Sequence, residues 1–257
     1  MKIDRFEREF DKKIADMGIR IKDADQLKVR EDVFDDVTLL ALYKLVHKKY
    51  LTAIGGSIST GKEANVFFGE RGEDRLAIKI YRIRTANFNA MAEYLIGDRR
   101  FSNVKRSKKD VVFSWTRKEY SNLLRAHDAG IPVPVPVVFD RNILVMGFLG
   151  EGERPYPQLR NVIPEDLQAT YDTLVRYVRD LFEKAELVHA DLSEFNILYG
   201  DVPYLIDMGQ SVTRDHPMAL RFLVRDIRNL NRFFAGRCET RDEREIISGL
   251  SGLAKEP

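Results

Sequence analysis

A single cysteine, Cys238, excludes an internal disulfide framework. Four scattered histidines (His47, His127, His189 and His216) leave no zinc-ligand cluster to be drawn. No apolar run approaches the roughly 20 residues of a membrane helix, and the opening "MKIDRFEREFDKK" lacks the apolar core of a signal peptide. Net charge is only +2, so bulk charge does not announce a nucleic-acid binder. Internal repeats and low-complexity tracts are also missing. These absences point to a soluble, cytoplasmic protein of a reducing compartment with no membrane partner. What is present suits globular folding. The 257 residues are 44% apolar, enough to bury the core of one large domain or two modest ones. The 32% charged residues suit a surface dense in ion pairs.

Residues 1–50 are charged with helical periodicity. Asp35 and Asp36 start a helix through "VTLLALYKLVHKKY", which keeps Leu39, Leu42, Leu45 and Val46 on one face. From residue 51 the character changes to short β-like runs, "YLTAIGGSIS", "EANVFFGE" and "DRLAIKIYRI", split by glycine turns. Residues 82–110 fit no clear pattern, and their strongly basic second half reads as a loop. Residues 111–129 read as a helix closed by Gly130. "IPVPVPVVF" and "NILVMGFLG" read as strands. In "IPEDLQATYDTLVRYVRDLFEKA", Pro164 near the first position and the stripe Leu167, Tyr171, Leu174, Val178 and Leu181 predict a helix. A last helix runs through "MALRFLVRDIRNLNRFF".

Two phosphate-binding loops compete for "GGSISTGKEANVF". A P-loop needs Ser or Thr after G-K and a helix behind it; Glu63 stands there, and "ANVFFGE" is a poor helix start. The alternative is a glycine loop between antiparallel strands, with Ser59, Gly61 and Ala64 at the three glycine positions, Thr60 and Lys62 between them, and Val66 closing the pattern. An ordinary turn remains the plain reading of this stretch alone. The next strand carries "LAIK". Alternation puts Ala77 and Lys79 on one face and Leu76, Ile78 and Ile80 on the other, so an inward Lys79 needs an anionic partner. Otherwise it is a lysine guarding a sheet edge.

"HADLSEFN" fits the catalytic loop H-R-D-x-x-x-x-N, giving Asp191 to orient or deprotonate a hydroxyl and Asn196 as a metal ligand. "YLIDMGQ" supplies Asp207, after a strand, to bridge magnesium to phosphates. An amide and a carboxylate are the hard oxygen donors that magnesium prefers. Each alone has a bland explanation, as a core histidine, a helix cap or a turn residue. All four in this order indicate an ATP-dependent phosphotransferase.

The spellings "STGKEANVF", "HADLSEFN" and "IDMGQ" resemble the RIO atypical serine/threonine protein kinases, in the Rio-one branch, from about residue 50 to the end. The resemblance implies an α+β fold, a trimmed two-lobed protein-kinase-like fold with an N-terminal helical extension. It divides the chain into the extension (1–50), a β-rich lobe (51–149) holding the glycine loop, Lys79 and a basic insertion, and a helical lobe (150–257) holding Asp191, Asn196 and Asp207. It also implies ATP with Mg2+ or Mn2+, a protein substrate with Ser or Thr, ATP hydrolysis through phosphate carried on Asp207, and work on pre-ribosomal small-subunit particles.

Departures from ordinary protein kinases matter too. Ala190 replaces the arginine that pairs with a phosphorylated activation loop, and no A-P-E follows Asp207. The expected partner of Lys79 is Glu119 in "WTRKEYSNLL", with Glu93 as the competitor. Met146 would back the adenine pocket, with backbone groups near Gly147 and Leu149 reading the base; a plain strand end is the alternative. The basic stretch 99–109 is a candidate RNA contact or a solvated loop, and Ser107 within it a candidate self-phosphorylation site. Two rivals stay open: a small-molecule kinase of the aminoglycoside or choline type, and an ATP-switched assembly factor with slow hydrolysis.

Overall fold

The computed structural model describes residues 20–21, 34–101 and 107–251. Its centre is a six-stranded sheet. Strands β1 (Arg20–Ile21), β2 (Ala53–Thr60), β3 (Ala64–Arg71), β4 (Asp74–Tyr81), β5 (Pro136–Asp140) and β6 (Ile143–Gly147) lie in the order β1-β2-β3-β4-β6-β5. All neighbours are antiparallel except β1 with β2, which run parallel. β1 is a correction to the helical reading of residues 1–50; the rest of 1–33 lies outside the described residues. "IPVPVPVVF" yields a strand only from Pro136. Pro132 and Pro134 have no N–H to give a ladder, and the segment joins the sheet as its edge strand, where proline is tolerated.

Helix α1 (Asp36–His47) starts at Asp35, whose carboxylate accepts from the Thr38 amide at 2.9 Å. It covers one face of the sheet: Leu39, Leu42 and Leu45 pack with Leu76, Ile78, Ile80, Ile143 and Val145. Ala77, Leu144 and Met146 point the other way, into the large core shared with the helical half. Alternation along β4 therefore puts Lys79 on the face toward the helices.

The sequence after β4 folds as α2 (Phe88–Leu95), a 3-10 turn at Arg99–Phe101 and, after residues 102–106, the long α3 (Lys108–Asp128). The basic-loop reading of residues 102–106 lies outside the described residues. Gly130, with φ +77°, ends α3 in the left-handed conformation. A pair of two-residue strands follows β6: β7 (Gly150–Glu151) and β8 (Arg154–Pro155). Helix α4 (Leu167–Glu183) begins later than the Pro164 reading. Asp166 is its cap, accepting from the Ala169 amide at 2.8 Å, so Pro164 lies before the helix.

Two more short antiparallel pairs flank the segment that carries Asp191. β9 (Leu187–Val188) pairs with β12 (Val212–Thr213), and β10 (Ile197–Tyr199) pairs with β11 (Pro203–Leu205). Helices α5 (Ala219–Phe234) and α6 (Glu243–Ser248) complete the fold.

Candidate active site

Lys79 on β4 is buried, and a buried ammonium needs compensating charge. Its Nζ lies 2.8 Å from Glu119 Oε1 on α3 and 2.9 Å from Asp207 Oδ1. Burial favours the neutral amine, but the Asp207 and Glu119 carboxylates outweigh it and hold the Lys79 pKa well above that of an ordinary lysine. Asp207 is shifted the other way: the Lys79 charge lowers its pKa, while its side chain stays 48% exposed to solvent. It is held at φ +62°, a left-handed conformation. Glu119 is fully enclosed, and Tyr81, two residues beyond Lys79 on the same strand face, donates its hydroxyl to Glu119 Oε2. Glu93, the competitor, is exposed on α2 and lines a surface groove with Ile96 and His216.

The hairpin between β2 and β3 carries Ser59, Thr60, Gly61 and Lys62, all exposed. Its tip is tight, with the Gly61 amide donating to Ala64 O at 2.9 Å. Val66 faces Lys79 in the β3–β4 register. The pKa of Glu63, just past the tip, is raised by burial and then by the Asp207 charge, and lowered by Lys79, so the hairpin tip faces the same charges. Met146 is buried beside Ala77 and Leu144. The Gly147 amide is already committed to Val135 O at 2.7 Å. Gly147 and Leu149 are half-buried.

The loop carrying Asp191 is held from behind. Asp226 on α5 accepts from the Ala190 amide at 2.7 Å and from the Leu192 amide at 3.0 Å, while Arg225 donates to the Ala190 carbonyl. Burial pushes the Asp226 carboxyl up to about 7 against these donors. Ala190 sits at φ +64° and is fully buried, which leaves little room for the arginine of ordinary kinases. Asn196 Nδ2 donates to Asp191 Oδ2 at 3.0 Å, and Gln210 Nε2 reaches the same oxygen at 3.3 Å. Burial raises the Asp191 pKa and the Asp207 charge adds to it, with the Asn196 bond opposing. His189, fully buried, places Nε2 3.1 Å from Ile206 O, and burial lowers its pKa to about 4, so the ring is neutral.

The structure thus brings Lys79, Glu119 and Asp207 into direct contact and ties Asp191 to Asn196. No group of three or more His, Cys, Asp or Glu side chains able to hold a metal occurs among the described residues. Magnesium would need no such group, because phosphates and water commonly supply most of its ligands beside one or two protein oxygens. The half-exposed Asp207 carboxylate and the Asn196 amide oxygen suit that role.

A family model described as the RIO domain matches residues 65–246. The chain belongs to the RIO family. This RIO chain is 47% identical over 251 residues to the RIO-type serine/threonine-protein kinase Rio1 of Haloferax volcanii, covering 97% of this chain and 86% of that one. It is 36% identical to the Rio1 of Methanocaldococcus jannaschii over 249 residues, with 95% and 85% covered. Against human serine/threonine-protein kinase RIO1 it is 43% identical over 229 residues, covering 86% of this chain and 40% of the human protein. Among solved structures, the Rio2 kinase–ADP/Mg2+–phosphoaspartate complex from Chaetomium thermophilum superposes with a TM-score of 0.65 at 22% identity, covering 86% of this chain and 68% of that one. That likeness establishes the kinase-like α+β fold.

Sequence reasoning missed several polar residues around this RIO site. Tyr81 was legible from strand alternation two residues past Lys79. Asp226 stands among Phe222, Leu223, Ile227 and Leu230 on the buried face of α5, and a carboxylate on an apolar stripe is a signal in itself. Lys118 and Asn122 give the same signal on α3. Within the basic stretch, Arg100 is spent internally on Asp98, and Arg99 lies 3.6 Å from Asp215. Ser107 is the N-cap of α3: its hydroxyl donates to the Asp110 carboxylate at 2.5 Å, and its Oγ accepts from the Asp110 amide at 3.2 Å.

Proposed function

We propose that this RIO-family chain is an ATP-dependent serine/threonine protein kinase that moves the γ-phosphoryl of ATP to a hydroxyl of a protein substrate. The observation that carries the reading is the bridge from Lys79 Nζ to both Glu119 and Asp207. It supplies one fixed positive charge beside one half-exposed carboxylate, in reach of a phosphate chain. On this reading the Lys79 ammonium, fixed by Glu119, binds the α/β-phosphates. The Ser59–Lys62 hairpin covers them with backbone amides. The Gly147 carbonyl and Leu149 amide read adenine in front of Met146. Asp191 orients the acceptor hydroxyl and takes its proton as the O–P bond forms and ADP leaves. Asn196 and Asp207 hold Mg2+ or Mn2+, which when bound neutralises charge on the phosphates.

The same residues accommodate ATP hydrolysis. The free oxygen of Asp207 accepts the γ-phosphoryl, ADP departs, and water then releases phosphate. Pre-ribosomal small-subunit particles are the proposed setting, with RNA contact through the basic stretch 99–109, and the cytoplasm is the proposed location. Lobe boundaries at 50/51 and 149/150 complete the proposal. Ser107 remains a proposed self-phosphorylation site; intact mass after incubation with ATP, followed by peptide mapping, tests it.

The deciding experiment compares Asp191→Ala and Asp207→Ala for phosphorylation of a protein substrate and for ATP hydrolysis. Loss of both activities in Asp207→Ala supports the reading. Full transfer activity in Asp191→Ala overturns it, and so does faster turnover of aminoglycosides or choline than of protein.

A further inference from the structure

Helix α3 presents Trp115, Lys118, Glu119 and Asn122 at i, i+3, i+4 and i+7, and all four are buried. Glu119 serves Lys79. The other three converge on the turn that follows Asp207. Lys118 Nζ donates to Gly209 O at 2.8 Å and to Ser211 O at 2.5 Å. Asn122 Nδ2 donates to Met208 O at 2.8 Å and to Ser211 O at 2.9 Å. Trp115 packs on Gly209 so closely that a Cβ there would lie 2.8 Å from Nε1. The amide of Asn122 is itself held: its Oδ1 accepts from Arg100 Nη1 at 3.0 Å, and Arg100 is clamped by the buried Asp98. A chain of contacts therefore runs from the insertion after β4, through α3, to three carbonyls of the turn.

Burying a lysine against backbone carbonyls and the face of Trp115, 5.2 Å from its ring centroid, is costly; burial lowers the Lys118 pKa to about 7. Core packing by itself would be served better by leucine or methionine at that position. The cost is understandable if the turn needs a rigid set of donors. Asp207 sits in a left-handed conformation immediately before it, and a strained residue persists only where its surroundings over-determine it.

We propose that Lys118 and Asn122, braced by Arg100 of the insertion, are positioning residues that fix the Met208–Ser211 turn and through it the Asp207 carboxylate. The insertion is then part of the site's geometry and not only a surface elaboration. This rests on the reading of Asp207 as a metal-binding residue.

The test uses Lys118→Met, which keeps the length of the side chain, and Arg100→Ala, whose side chain is partly exposed and whose loss the fold should tolerate. Three quantities are measured: Mn2+ binding to the ADP complex, kcat and KM for ATP, and hydrogen exchange of the 208–211 amides in nucleotide-free protein. Outer-shell losses at metal sites commonly cost about 10–100-fold. Lys118→Met should weaken Mn2+ binding and lower kcat within that range, with KM for ATP changed by less than about threefold and exchange of the turn accelerated. Arg100→Ala should shift the same quantities in the same sense by a smaller factor. Unchanged exchange and unchanged Mn2+ binding in folded Lys118→Met overturn the proposal. If Lys118→Met does not fold, parent-like values in Arg100→Ala overturn it instead. Asp207→Ala, run in parallel, separates the two layers. Loss of Mn2+ binding there with no change in the clamp variants rejects the clamp alone, whereas parent-like Mn2+ binding in Asp207→Ala rejects the metal assignment and the clamp with it.

Discussion

Lys79 and Asp207 are 128 residues apart in the chain, yet Nζ and Oδ1 lie 2.9 Å apart. One belongs to the middle of a sheet and the other to the connection between the short strands β11 and β12. Their contact is where the two halves of the molecule meet in charge, and Glu119 completes it from α3 at 2.8 Å.

Removing Lys79 should therefore harm stability as well as activity. In Lys79→Met the enclosed Glu119 keeps the Tyr81 hydroxyl but loses its cation. Leaving a buried charge unpaired costs about 3–5 kcal/mol. The double variant Lys79→Met/Glu119→Gln should regain most of that stability while remaining inactive toward ATP. Urea midpoints and ATP turnover for the three proteins check this. Parent-like activity in Glu119→Gln would show that the pairing is not needed for phosphate positioning.

Asp226 should matter for turnover without touching substrate. It accepts from both the Ala190 and Leu192 amides, and an asparagine offers only one acceptor oxygen and turns an amide group against the other donor. Asp226→Asn should cost about 1–3 kcal/mol of stability and lower kcat more than it raises KM for ATP. Steady-state kinetics beside thermal unfolding measure both effects.

Gly209 is small for a neighbour's sake and not for its own backbone. A Cβ would lie 2.8 Å from Trp115 Nε1 and 3.1 Å from Cε2. Gly209→Ala should destabilise the fold by about 1–3 kcal/mol through overpacking, and Gly209→Ala/Trp115→Phe should recover part of it because the smaller ring withdraws. Additive losses in the double variant would show that the two residues do not compete for that space.

His189 predicts an acid limb of stability. Burial lowers its pKa from 6.5 to about 4, so between these values the unfolded chain binds the proton and the folded one does not. Its contribution is complete above about pH 6.5 and is lost as pH falls toward 4, to a total of about 3 kcal/mol. His189→Gln keeps a donor for Ile206 O and cannot titrate, so its stability should fall less over the same range. Asp226, raised to about 7, acts with the opposite sign, but it is common to both proteins and cancels in the comparison. Urea midpoints at pH 4.5 and 7 provide the measurement.

Local chemistry made much of this legible in the sequence. Alternation in "LAIKIY" determined that Lys79 and Tyr81 share a face. A cap at Asp35, a left-handed Gly130 and the apolar stripe of α4 each follow from a few neighbouring residues. The spacing of Asp191, Asn196 and Asp207 carried the phosphotransferase reading, since metal and phosphate chemistry restricts which residue types serve. Tertiary structure alone decided what is long-range. Glu119 rather than Glu93 meets Lys79 because of where α3 crosses the sheet. Asp226, Lys118 and Asn122 have meaning only against backbone groups contributed by other segments, since a carbonyl looks the same at every position of a sequence. Pro132 and Pro134 kept an apparent strand out of the sheet, and Asp166 capped a helix that Pro164 seemed to open. Those last two are local effects, a proline's missing N–H and a carboxylate bonding an amide three residues on; the others waited on tertiary structure because their partners come from distant segments.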